Sequence, residues 1–179
     1  MNPSFATLAA AALLSACSMS PMTMGPRVDN AALPEAVRVP SGQTLRMVAT
    51  GVGEITYECR EKAAAAGQYE WAFVGPVATL YSADKRNVGK YYAGPTWEAS
   101  DGSKVTGKQL AVSPAAPGNI PMQLVKTDPA MGSGAMTGVT YIQRLNTKGG
   151  VAPGAPCDAA RKGRRQQVAY EADYAFYGA

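Results

Sequence analysis

The sequence predicts an all-β chain: a single-domain β sandwich or barrel-like fold of roughly nine or ten strands, with at most one short helix. Three observations point there. Short segments of alternating apolar and polar residues recur at spacings of about ten residues, the period of half-buried strands. Nineteen glycines and thirteen prolines punctuate 179 residues of which only 17% are charged, a turn-rich composition. Helical character is confined to one stretch, 60–66 (Arg-Glu-Lys-Ala-Ala-Ala-Ala).

The elements follow in order. Residues 44–49 form a first strand, and Gly51 and Gly53 bend the chain after it. From 54 to 60, Ile55, Tyr57 and Cys59 alternate with Glu54, Thr56, Glu58 and Arg60, which puts the cysteine on an apolar face. A short aromatic strand at 69–74 is stopped by Gly75-Pro76, and 77–81 resumes. After a polar turn, 88–92 leads into Gly94-Pro95 and 96–99 into Asp101-Gly102, a strong hairpin signal that pairs it with 105–112. Pro114, Pro117 and Gly118 mark a loop. Strands at 120–126 and 138–146 come next, and 149–157, rich in Gly and Pro, is irregular. The last strand has the cleanest alternation: Val168, Tyr170, Ala172, Tyr174 and Phe176 on one face.

The first sixteen residues have no charged side chain and carry an apolar run of signal-peptide length, too short to span a bilayer. The run ends in Leu14-Ser15-Ala16-Cys17, which resembles the lipobox of bacterial lipoproteins. The n-region departs from that pattern, having no Lys or Arg; an ordinary signal peptide with an incidental cysteine is the plainer alternative. The resemblance implies cleavage before Cys17 and a lipid anchor on it, with acyl chains that hold the protein on a membrane. Ser18 in the next position implies an outer-membrane lipoprotein facing the periplasm. The expected organisation is therefore a signal peptide (1–16), a lipidated cysteine with a flexible tether (17–32), and one β domain (33–179). Met19, Met22 and Met24 lie in the tether; three thioethers without a His or Cys partner make a poor Cu(I) site, and linker is the simpler role.

Composition excludes several chemistries. The chain has no histidine, hence no Ser-His-Asp or Cys-His nucleophile and no His-ligated metal. No metal site and no cofactor is expected; no G-x-G-x-x-G follows a strand. The net charge is +4 with a pI near 9.0, a mild bias that permits attraction to anionic envelope components, while the exported address argues against nucleic acid. With Cys17 assigned to lipid, Cys59 and Cys157 remain, and in an oxidising compartment they form one disulfide. Two unpaired buried thiols are the alternative.

The chain from Leu33 onward resembles an uncharacterised family of bacteria and fungi, DUF3455. The resemblance rests on Leu33-Pro34 with Val39-Pro40, Gly53-Glu54-Ile55-Thr56-Tyr57-Glu58-Cys59, Tyr69-Glu70-Trp71, Gly94-Pro95-Thr96-Trp97 and Asp101-Gly102-Ser103. Ile120-Pro121, Tyr141-Ile142-Gln143-Arg144, Gly149-Gly150, Cys157-Asp158 and the aromatic C-terminal strand extend it. It implies a shared fold and no particular activity.

Four places are candidate sites. Tyr91, Tyr92, Trp97, Glu98 and Asp101 gather aromatics and carboxylates within a few residues, the ingredients of a glycan-binding platform; core aromatics on a hairpin are the plain alternative. Glu98 and Asp101 are also a close carboxylate pair beside an aromatic, the minimum for glycoside hydrolysis. Gln143 and Arg144 present polar groups that suit an anionic ligand, although a strand Arg more often solvates. Arg161, Lys162, Arg164 and Arg165 form a basic loop that suits anionic headgroups, or a solvated hairpin tip. The leading function is a non-catalytic binding or structural module of the cell envelope, with an enzyme acting on a glycan or envelope polymer through Asp, Glu or Tyr as the alternative.

Overall fold

A computed structural model describes residues 28–179; the signal segment, Cys17 and most of the tether lie outside the described residues. Eight strands, β1 (Thr44–Glu61), β2 (Tyr69–Tyr81), β3 (Asn87–Tyr92), β4 (Thr96–Ala99), β5 (Lys104–Ser113), β6 (Met122–Thr127), β7 (Val139–Gly149) and β8 (Arg165–Gly178), follow one another around a closed barrel. Every neighbouring pair is antiparallel, and β8 closes on β1. The all-β expectation holds, and between sandwich and barrel the structure is a barrel, which leaves no edge strand.

The strand number falls to eight because two expected breaks do not break. Gly51 and Gly53 lie inside β1 at inward-facing positions. A Cβ on Gly53 would sit 2.0 Å from the Val77 carbonyl oxygen, and one on Gly51 2.6 Å from the Tyr174 ring. These glycines let the wall coil tightly around its filling, as barrel closure requires. Gly75-Pro76 likewise sits within β2, beside the register shift at Thr56/Tyr57, where a proline is tolerated. The helix expected at 60–66 does not form. Arg60 and Glu61 pair with Glu70 and Tyr69 to the end of β1, and four alanines are too few to sustain a helix against that pairing. The only helical turns among the described residues are short 3-10 turns at Asn30–Ala32, Glu35–Val37 and Ala159–Arg161.

Alternation sorts the side chains. Leu80, Tyr91, Trp97, Val105, Ile142, Tyr174 and Phe176 fill the interior. A second cluster lies outside the wall, where Leu124, Leu145, Ala175 and Tyr177 are covered by Val37 and Val39 of the N-terminal segment. That segment packs from Val28 onward, upstream of the boundary expected at Leu33, and Asn30 is tied to the Val39 backbone through both amide atoms at 2.9 Å.

The two barrel ends differ. At one, the Asp101-Gly102 turn and the β6–β7 loop lock together and drive Met136, fully buried, into the core. At the other, the β5–β6 loop meets the strap 150–164 that follows β7, Asn119 pairing with Gly150. Cys59–Cys157 holds the strap, with a Cα–Cα distance of 5.5 Å. Trp71 Nε1 donates to the Ala155 carbonyl at 2.8 Å, and the Tyr57 hydroxyl to the Gly150 carbonyl at 2.8 Å. The irregular stretch expected at 149–157 is thus pinned at three points.

A cationic cavity at the open end of the barrel

The strapped end of the barrel is not filled. A cavity of about 370 Å³ opens there, walled by Ile55, Tyr57, Phe73, Tyr91, Ile120 and Arg144 among others, and rimmed by the Ala93-Gly94-Pro95 turn and by Gln109 and Gln123. Its volume falls within the range of small-molecule sites, and its apolar wall with few polar groups matches their usual chemistry.

Each wall residue is placed by strand alternation. Tyr57 and Ile55 share the inner face of β1, and Phe73 faces Tyr57 from β2, rings edge-to-face with centroids 6.1 Å apart. Phe73 is 58% exposed, an aromatic left at the mouth. Gly75 permits the β3–β4 turn to close over this side, since a Cβ there would meet Ala93 Cβ at 2.6 Å.

Arg144 pairs with Gln123 on one side and Tyr174 on the other, and so it shares their inward face. Its Nε and Nη2 donate to the Pro121 carbonyl at 3.2 and 2.9 Å. No carboxylate pairs with it among the described residues. Among the described residues it is the only charged side chain on the cavity wall.

The tyrosines around it are neutral. Burial pushes Tyr57 and Tyr91 above the ordinary phenol range, with the Arg144 charge partly opposing it. Burial pushes Tyr170 up to about 12 and raises Tyr174 well above the ordinary phenol value, their hydroxyls 3.3 Å apart. At physiological pH these groups are hydrogen-bonding phenols rather than bases or nucleophiles.

The sequence candidates scatter. Trp97 is 1% exposed and stacks on Tyr91 at 4.7 Å, with Tyr174 completing a buried aromatic trio. Trp97 therefore takes the core position that was the plain alternative to a glycan platform. Tyr92 and Glu98 lie on the outer face, where the Tyr92 hydroxyl donates to Glu98 at 2.7 Å and Lys90 pairs with the same carboxylate at 3.2 Å. Those two contacts hold the Glu98 carboxyl below its usual range. Asp101 sits at the plugged end, accepting from the Ser103 hydroxyl at 2.6 Å, the Ser103 N–H at 2.9 Å and the Ala135 N–H at 2.7 Å. These bonds lower its pKa and occupy both oxygens. Glu98 and Asp101 thus serve separate contacts and do not face a common space.

The basic loop is largely neutralised: Arg161 pairs with Asp158, Lys162 with Glu61 and Arg165 with Glu58. Of the candidates, Arg144 alone lies on the cavity together with Tyr91, and Gln143 points the other way. The sequence missed Tyr57, Phe73, Ile120, Gln109 and Gln123 as wall residues. The one signal for them is the shared inner face of Ile55, Tyr57 and Cys59.

Fold and cavity together define a closed antiparallel barrel, plugged at one end and open at the other onto the Arg144 guanidinium. The chain belongs to the family described as protein of unknown function (DUF3455), whose sequence model matches residues 40–178 and so takes in all eight strands. Neither a curated protein nor a solved structure matches the chain. Its disulfide is that of an exported protein in an oxidising compartment.

Proposed function

We propose that this protein is a non-catalytic binding module of the cell envelope, tethered through lipid on Cys17, which takes a small ligand into the open end of its barrel. The observation that carries this is the cavity itself: apolar and aromatic walls around one guanidinium that no carboxylate neutralises among the described residues. Such a site favours retention of a ligand over chemistry on it. The phenols around it are held neutral, and among the described residues no carboxylate, thiol or imidazole lines the wall. The lipobox-like Leu14-Ser15-Ala16-Cys17 supports the tether, and the compartment set by the disulfide agrees with it.

The test is saturable binding of the neutral fluorophore N-phenyl-1-naphthylamine, compared with variants that plug the mouth. Gln109→Trp and Ala93→Trp each enlarge a residue of the rim. Binding by the native protein that is lost in both variants, with unfolding temperature unchanged, supports the proposal. Absence of saturable binding, or equal binding in both folded variants, contradicts it.

A further inference from the structure

We infer that the ligand of this cavity is a small amphiphile with one anionic group, a carboxylate, sulfonate or phosphate monoester, which meets the Arg144 guanidinium while its apolar body lies against Tyr57, Phe73 and Ile120. This inference rests on the binding role proposed above and names the chemistry that role serves.

Four features of the site lead to an anion. First, the guanidinium, in a half-buried position, has no carboxylate partner among the described residues. Charges withdrawn from water are ordinarily paired, because desolvation without a partner is costly. Second, the fork is already oriented. The Pro121 carbonyl takes Nε and one Nη2 donor, which leaves Nη1 and the second Nη2 hydrogen for a guest. A guanidinium held in place loses little freedom when it forms further hydrogen bonds. Third, nothing on the wall competes with or repels an anion. Among the described residues the wall has no carboxylate, and Tyr91, which makes no side-chain hydrogen bond among them, is a protonated phenol able to donate. Fourth, the two amides at the rim are tied to each other, Gln123 Nε2 to Gln109 Oε1 at 2.5 Å, so neither neutral group is positioned to replace a charged partner.

The body of the ligand follows from the remaining wall. Ile55, Ile120, Val74 and the Tyr57–Phe73 pair offer hydrocarbon and ring faces, and a space of about 370 Å³ suits a ring-sized or medium-chain group rather than an oligosaccharide. The exposed Phe73 ring at the mouth would be covered by such a guest. A free organic acid and the headgroup region of an anionic lipid share this chemistry.

A matched pair of fluorophores isolates the charge: 8-anilinonaphthalene-1-sulfonate carries the sulfonate that N-phenyl-1-naphthylamine lacks on the same aryl body. The native protein is expected to bind the sulfonate at least about tenfold more tightly, in keeping with charge-assisted hydrogen bonds. Arg144→Gln should abolish that preference while binding of the neutral probe stays within about twofold, and Arg144→Lys should restore part of it, the charge returning without the fork. An undiminished preference in Arg144→Gln, or equal loss of both probes in that variant, overturns the inference. Failure of both probes to bind the native protein instead removes the binding role itself. Displacement of the sulfonate by monomeric decanoate assigns the anion to a free acid, and displacement only by phosphatidylglycerol vesicles assigns it to a lipid. Displacement by neither, under conditions where the sulfonate binds, also overturns the inference.

Discussion

Gln143 and Arg144 are consecutive on β7 and act on opposite sides of the barrel wall. Gln143, completely buried, donates to the Val37 carbonyl at 2.6 Å and to Asn30 Oδ1 at 3.0 Å, and accepts from the Tyr177 hydroxyl at 2.9 Å. Arg144 turns inward to the cavity and holds the Pro121 carbonyl. One residue fixes the N-terminal segment to the barrel, and the next sets the charge of its interior.

Gln143→Leu should therefore destabilise the fold by roughly 1–3 kcal/mol, since it strands the Val37 carbonyl and the Tyr177 hydroxyl without partners in a buried layer. Urea unfolding measures the loss. The neutral probe should bind the folded variant as it binds the native protein, because the cavity lies on the other face.

The Cys59–Cys157 bond closes a loop spanning a sequence separation of 98. Chain entropy assigns a loop of that length about 4–5 kcal/mol. Reductant should lower the unfolding temperature of the native protein substantially, and Cys59→Ala should match the reduced protein and ignore reductant. An equal further loss in the variant on adding reductant would place the effect elsewhere.

Glu58 is gripped by two guanidinium groups, Arg60 and Arg165, each at 2.8 Å. Their hydrogen bonds lower its pKa from the ordinary 4.5 to about 2. A carboxyl depressed in the folded state contributes stability that is fully present above 4.5 and is lost as pH falls through the folded value. The difference in unfolding temperature between the native protein and Glu58→Gln should therefore be largest above pH 5 and shrink as pH falls toward 2, where the folded-state carboxyl becomes half protonated. A constant difference across that window would show that the ion pairs do not carry the effect.

Anchoring is tested separately from folding. Cys17→Ser should move the protein from the membrane fraction to the soluble fraction on cell fractionation, with the unfolding temperature of the domain unchanged. Unaltered membrane association would remove the lipid tether from the account.

The alternation of β8 and the Asp101-Gly102 turn were legible in the sequence because each depends on local rules that the fold obeys. The join of 44–49 to 54–60 was not, since a glycine that bends a strand out of the sheet and one that lets a barrel wall coil look alike before the opposing Tyr174 ring and Val77 carbonyl are known. The direction of Arg144 was obscured for a related reason. The outer face of β7 is itself buried, under Val37 and Val39, so the strand lacks the clean polar face that would have marked Ile142 and Arg144 as inward neighbours. The aromatic density around Tyr91 and Trp97 was correctly noticed, but such density describes a core as readily as a binding platform. Barrel closure, which decides between the two, depends on pairing between β1 and β8 that no local pattern encodes.

The most direct measurement is a map of backbone amide shifts by nuclear magnetic resonance as 8-anilinonaphthalene-1-sulfonate is titrated into the protein. The account predicts saturable changes centred on Ile55, Tyr57, Phe73, Ile120 and Arg144, with Lys90, Tyr92, Glu98 and Asp101 undisturbed. Changes centred on the outer Lys90–Tyr92–Glu98 group, with the barrel mouth silent, would contradict it.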